Sequence, residues 1–111
     1  MPPREWRLRV EDIVDAISKI ERYVSGLNFE QFRDDQKTVD AVVRNLEVIG
    51  EAVRHLSAGD ENLPGDIPWT DIAGMRNVLV HEYFGIDLHI IWHTVVDDLP
   101  ALKAQVQRLL L

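Results

Sequence analysis

The chain has 111 residues, of which 46% are hydrophobic and 28% are charged, and it contains no cysteine. This composition excludes a natively unfolded chain, and the lack of cysteine excludes a disulfide framework, a thiolate nucleophile and sulfur ligands for zinc. The formal net charge is -7, whereas nucleic-acid-binding proteins usually carry a basic surface. The length predicts a single domain over residues 1–111, and the absence of a signal region and of a long apolar stretch predicts a soluble, cytoplasmic protein.

Two long amphipathic helices are predicted first. Apolar residues recur at three- and four-residue steps over about Trp6–Leu27 and again over about Asp35–Leu56. A break at Ser25–Asn28 and a short turn at Phe29–Phe32 separate the two segments. Gly50 lies inside the second helix, where glycine costs about 1 kcal/mol relative to alanine. We therefore expect another helix to cross at Gly50.

The next part of the chain holds a loop and a third helix. Two glycines, two prolines and several acidic residues mark Ser57–Pro68 as a surface loop that borders a functional cleft. The third helix is predicted over about Trp69–Tyr83, with Gly74 as a possible second point of close approach and Gly85 as its end.

The remaining chain predicts one or two further helices. Asp87 can cap a helix over about Leu88–Leu99, and Pro100 is well placed to begin a new helical segment. No stretch alternates apolar and polar residues with the period of a strand. The sequence therefore predicts an all-α fold, an antiparallel bundle of four to five helices.

The chemically informative residues lie within two turns of the third helix. Asn77 and His81 are four residues apart and share one stripe, whereas Arg76 lies about 140 degrees from His81 around the helix axis. A long guanidinium can still swing toward the groove that the other two side chains face. A neutral imidazole can take a proton from a ribose 2'-hydroxyl, and arginine can bind the growing phosphoryl charge, so this chemistry needs no metal and no cofactor.

Arg76 and His81 match the R-x4-H form of the HEPN ribonuclease motif, and the continuation to Tyr83 matches the R-x4-H-x-Y signature of HepT toxins. The chain resembles that family over most of its length. Three further segments carry the likeness: Arg44–Ala52, Pro68–Trp69, and Trp92 with Asp98–Lys103.

The resemblance implies a HEPN-like bundle that cleaves RNA as a homodimer, with Arg76, Asn77 and His81 as catalytic residues. It also implies an MntA-type nucleotidyltransferase antitoxin that silences the toxin by transferring AMP to Tyr83. An interaction module of weak catalytic power, whose main role is to bind the antitoxin, is the alternative that the acidity of the chain favours.

Each of these residues also has a purely structural interpretation. Arg76 can form a salt bridge with Glu47 or Glu51, and a lone histidine such as His81 is more often packed or solvated than catalytic. Asn77 can simply face solvent, and Tyr83 can be a partly buried core residue. Glu51 can pair with the motif residues or serve as an ordinary helix charge.

Other polar pairs and aromatic residues are weaker candidates. His89, His93 and Asp97 step by four and could present metal ligands on one face, but such spacing often arises by chance, and we predict no metal site. The acidic pairs Asp34–Asp35 and Asp97–Asp98 are expected to be caps and solvated turns. Core or interface positions are expected for the three tryptophans, Trp6, Trp69 and Trp92.

Overall fold

The apolar stripes of the two long amphipathic segments form the centre of the structure, a computed structural model that describes residues 4–57, 67–81, 85 and 87–111. Helix α1 spans Arg4–Val24 and helix α3 spans Gln36–Ser57, and the two pack along their length. Their facing side chains are fully buried, among them Ile13, Ile17, Leu46 and Ile49. Burial of these stripes is the main force that fixes the two helices against each other.

The other helices cover this central pair. They are α2 (Phe29–Arg33), α4 (Trp69–His81), α5 (Leu88–His93), a π-helical segment (Thr94–Asp98), α6 (Leu99–Gln107) and a final 3-10 turn (Arg108–Leu110). The described ranges contain no strand. The predicted all-α antiparallel bundle is therefore confirmed. Within those same ranges, no helix is long and apolar enough to cross a lipid bilayer.

Local side-chain chemistry ends α1 and begins the helices that follow it. The chain leaves α1 through Gly26, whose φ of 78° lies in the left-handed region that favours glycine. Asn28 then forms a capping box with Gln31 at the start of α2. Asp35 caps α3 by accepting hydrogen bonds from the hydroxyl and the backbone N–H of Thr38, which lower the pKa of its carboxyl.

The sequence predicts that Asp34 and Asp35 are a cap and a solvated turn, and this is confirmed. Asp35 caps α3, and Asp34 beside it is an exposed partner of Arg33. The predicted cap of α5 is also confirmed, because Asp87 accepts a hydrogen bond of 2.8 Å from the backbone N–H of His89. The predicted loop Ser57–Pro68 falls mostly on residues 58–66, and the predicted C-terminal end of the third helix falls on residues 82–84. Both stretches lie outside the described residues.

Helices α3 and α4 cross at Gly50, as predicted. A Cβ atom built on Gly50 would lie 2.6 Å from the Cβ of Arg76, a distance that real structures do not tolerate without movement. The predicted close approach at Gly74 is wrong, because a Cβ there would meet no described atom within 4 Å. Gly50 therefore sets the spacing of the two helices and, with it, the position of Arg76.

We expect Gly50→Ala to lower the free energy of unfolding by about 1 to 3 kcal/mol, because overpacking at the crossing outweighs the better helix propensity of alanine. Gly74→Ala is the matched control, since it adds the same methyl group to open space. It should raise the free energy of unfolding by up to about 1 kcal/mol. Urea unfolding of both variants measures the two changes in the free energy of unfolding. Equal changes in Gly50→Ala and Gly74→Ala would contradict the assigned role of Gly50.

The predicted last helical segment is present, and it begins at Leu99, one residue before the predicted start at Pro100. Helix α5, the π-helical segment and α6 follow one another without interruption, and Pro100 is the second residue of α6. The backbone N–H of Leu99 donates to the carbonyl of Thr94, five residues earlier. Because a proline ring clashes with the carbonyl four residues before it, a wider turn at this point lets the helix continue past Pro100.

Candidate active site

Helix α4 carries the motif and packs mainly against α3. Leu79 is buried at this contact, and Ile72 and Met75 pack partly buried against the core. Asn77 lies on the exposed part of α4. Burial of one side of α4 thus leaves a polar motif residue available at the surface.

Arg76 forms an ion pair with Glu51 across the helix crossing. Its Nε lies 2.8 Å from Glu51 Oε2, and the two side chains are 30% and 37% exposed. Glu51 Oε2 is buried and accepts no hydrogen bond of good geometry, so this contact is electrostatic rather than an aligned hydrogen bond. The predicted salt bridge of Arg76 is therefore present, and its partner is Glu51. The other predicted partner, Glu47, lies 4.0 Å from Arg44 instead.

Glu51 also contacts a histidine one turn further along α3. Its Oε1 lies 3.2 Å from His55 Nε2, so the carboxylate stands between His55 and Arg76. Glu51 is thereby suited to fix the direction of the Arg76 guanidinium.

Arg76 and Glu51 lie at a cleft that three helices build. The cleft has a volume of about 210 Å³. Helix α1 contributes Arg9 and Asp12, α3 contributes Arg44, Glu47, Val48, Glu51 and Ala52, and α4 contributes Arg76. Three guanidinium groups thus meet three carboxylates here, whereas the whole chain carries an excess of seven negative charges.

The sequence interpretation missed Arg9 as a site residue and noted Arg44 only within the segment that resembles HepT proteins. No spacing signal links these two arginines to Arg76, because they lie 67 and 32 residues away in the chain. Only the packing of α1 and α4 on the two sides of α3 brings them together.

Two predicted site residues stay predictions. The backbone of His81 forms the last residue of α4, but its side chain lies outside the described part of the structure. Tyr83 also lies outside the described residues. The convergence of Arg76 and His81 on one phosphate is therefore an expectation from the sequence and the resemblance.

His89, His93 and Asp97, the weak candidate for a metal site, do not converge on one point, because His89 takes part in another contact. His89 stacks on Phe29 with ring centroids 4.0 Å apart, while His93 Nδ1 pairs with Asp97 Oδ2 at 2.6 Å on an exposed surface. Across residues 4–57, 67–81, 85 and 87–111, no three histidine or acidic side chains come together in a way that could hold a metal ion.

The three tryptophans pack against the core, as predicted. Trp92 lies 5.1 Å from the ring of Phe32, measured between centroids. The indole N–H of Trp6 is buried without a hydrogen-bond partner among the described atoms.

The chain is similar to a family of known proteins over most of its length. Residues 13–109 match the family model described as "Ribonuclease HepT-like". A Thermococcus cleftensis protein named "Probable ribonuclease HepT" is 43% identical over 100 residues, which cover 90% of this chain and 91% of the relative.

Two other relatives have comparable coverage. A protein of Caldanaerobacter subterraneus subsp. tengcongensis, named as a candidate RNase, is 46% identical over 91% of this chain and 90% of the relative. A Methanocaldococcus jannaschii protein, also named as a candidate RNase, is 39% identical over 90% of this chain and 83% of the relative. No solved structure matches the chain at a significant level.

Proposed function

The chain belongs to the ribonuclease HepT-like family, and we propose from this that it is a metal-independent endoribonuclease that acts through Arg76, Asn77 and His81. His81 is the general base, Arg76 stabilises the charge that grows on the phosphoryl oxygens, and Asn77 positions the substrate or the imidazole. The placement of Arg76 in a solvent-accessible cleft is the observation that supports this proposal best.

The geometry of Arg76 suits phosphate binding. Glu51 contacts the guanidinium through Nε, and an arginine held in this way presents the edge formed by its two Nη groups to a ligand. Two parallel N–H groups on that edge match two oxygens of a phosphate. The ion pair therefore supports orientation of Arg76 and does not oppose a catalytic role.

The reaction balances without a further reactant. Neutral His81 takes the proton of a ribose 2'-hydroxyl, and the 2'-oxygen attacks the adjacent phosphorus. The bond from phosphorus to the 5'-oxygen breaks, and the leaving oxygen takes a proton from water. The hydroxide left behind takes the proton from His81, which restores the neutral imidazole. The products are a 2',3'-cyclic phosphate on one fragment and a 5'-hydroxyl on the other.

We expect the purified chain to cut single-stranded RNA in excess EDTA at the rate seen without chelator, because the groups that move protons and stabilise charge are side chains. Mass spectrometry of the products should show cyclic phosphate ends. Loss of cleavage in EDTA that added divalent ions restore would contradict metal independence. Intact RNA under all conditions, together with tight binding to a partner protein, would favour the antitoxin-binding module instead.

The biological setting that we propose is a toxin-antitoxin pair. The chain would act as a homodimeric toxin, with an MntA-type nucleotidyltransferase that transfers AMP to Tyr83. Added phosphates two residues beyond His81 would place negative charge near the cationic groups of the site and obstruct substrate phosphates.

Incubation with an active nucleotidyltransferase of this type and ATP should therefore raise the intact mass by one or more AMP units and reduce RNA cleavage. Tyr83→Phe should show neither change, while Tyr23→Phe, which alters the other tyrosine of the chain, should behave as wild type. An AMP unit on the Tyr83→Phe protein would place the modification on a different residue.

A further inference from the structure

The cleft at Arg76 contains two cationic groups that the catalytic proposal does not use. Arg9 lines it from α1 and Arg44 lines it from α3. We propose that Arg9 and Arg44 together bind a backbone phosphate of single-stranded RNA next to the scissile linkage. This inference rests on the proposed ribonuclease function and adds a substrate-binding site to it.

Ion pairing of Arg9 and Arg44 differs from that of Arg7 on α1 and Arg33 on α2. Arg9 forms no ion pair within 4 Å with a described carboxylate, and Arg44 approaches Glu47 only at 4.0 Å while its side chain is 73% exposed. By contrast, Arg7 lies 3.4 Å from Glu11 and Arg33 lies 3.0 Å from Asp34. Arg9 and Arg44 therefore keep more of their hydrogen-bonding capacity for a ligand.

The cleft is open to solvent along one side and has a volume of about 210 Å³. A strand that lies across it can therefore contact Arg76 with one phosphate and Arg9 and Arg44 with the next, without either phosphate being enclosed. A single strand can place consecutive phosphates at Arg76 and at the two other arginines in this way.

The acidic side chains of the cleft set an upper limit on affinity. Glu51 is engaged by Arg76 and His55, which leaves Asp12 and Glu47 to oppose the charges of Arg9 and Arg44. This balance predicts weak, salt-sensitive binding, which suits rapid release of cleaved RNA. It also explains how a chain of net charge -7 can engage RNA at one local position.

The test is binding of a fully 2'-O-methylated single-stranded oligonucleotide, which lacks the attacking hydroxyl, to the full chain over a range of salt concentrations. The double variant Arg9→Gln/Arg44→Gln should weaken binding about tenfold or more, because it removes charge-assisted hydrogen bonds. The slope of log affinity against log salt should fall by about 0.7, the value for one phosphate contact on a single strand.

The matched control is Arg22→Gln/Arg33→Gln, which removes the same two charges from exposed positions outside the cleft. It should keep the affinity within about twofold and leave the salt slope almost unchanged. Equal binding by wild type and the cleft variant, equal losses in both double variants, or no binding by wild type would each overturn the inference.

RNA cleavage is assayed separately in EDTA. A wild-type chain that binds the oligonucleotide through Arg9 and Arg44 but cuts no RNA would refute the ribonuclease function and retain this phosphate site. A chain that cuts RNA equally well with and without the two arginines, and binds the probe equally well, would retain the function and refute the site.

Discussion

Replacement of His81 by alanine should lower kcat/KM for RNA cleavage by about 10² to 10⁴, the contribution typical of a positioned general base. Of the three residues assigned to catalysis, only His81 can take the proton of the 2'-hydroxyl near neutral pH, since the guanidinium of Arg76 stays protonated and the amide of Asn77 is not basic. The residual rate would come from charge stabilisation by Arg76 alone.

The measurement is single-turnover cleavage of a labelled single-stranded RNA in EDTA. His93→Ala is the matched control, because it removes an exposed imidazole from the C-terminal end of α5, where the ring contacts only Asp97 among the described acidic groups. That variant should cleave at the wild-type rate. Activity of the His81→Ala protein equal to that of wild type would remove His81 from the mechanism.

Replacement of Arg76 by alanine should lower kcat by about 10² to 10³, in line with the loss of one group that stabilises developing charge. The fold should survive, because both side chains are about one-third exposed and truncation of Arg76 opens the buried Glu51 Oε2 to water. Arg76→Lys should recover only part of the rate, since an ammonium lacks the planar fork that matches two phosphate oxygens.

The variant Glu51→Gln tests the orientation of the Arg76 guanidinium separately from the charge that Arg76 supplies. It keeps the Arg76 guanidinium but replaces its ionic partner, so we expect a smaller loss of kcat than in Arg76→Ala. Arg33→Ala, which breaks an exposed ion pair in α2, should not change cleavage. Single-turnover rates and thermal midpoints measured on all four proteins separate catalysis from folding; full activity of Arg76→Ala would refute the assigned role.

The sequence predicts the bundle well because its main helices are amphipathic. The stripes of α1 and α3 fall within a few residues of their predicted limits, and the helix crossing at Gly50 follows from the cost of an unexplained glycine inside a helix. The same reasoning fails at Gly74, where an added Cβ atom would meet none of the described atoms within 4 Å. A glycine identifies a possible close approach, but only the packing of the neighbouring helix decides whether one exists.

The candidate site is only partly predictable. The motif spacing places Arg76 and Asn77 on one helix. The sequence allows two acidic partners for Arg76, Glu47 and Glu51, and the structure pairs it with Glu51. The choice between Glu47 and Glu51 depends on the angle at which α4 crosses α3, which no local pattern encodes. The same is true of Arg9 and Arg44, whose proximity to Arg76 arises from contacts between residues far apart in the chain.

The π-helical segment before Pro100 restricts which sequence changes the continuous helix formed by α5, this segment and α6 can accept. A turn closed over five residues holds one residue more than an ordinary α-helical turn, so loss of one residue within Thr94–Asp98 would restore regular winding and keep Leu102 and Val106 directed toward the core. Regular winding would, however, bring the ring of Pro100 against the carbonyl four positions earlier. The extra residue and the proline are thus linked, and a shortened segment is compatible with a straight helix only when another amino acid replaces the proline.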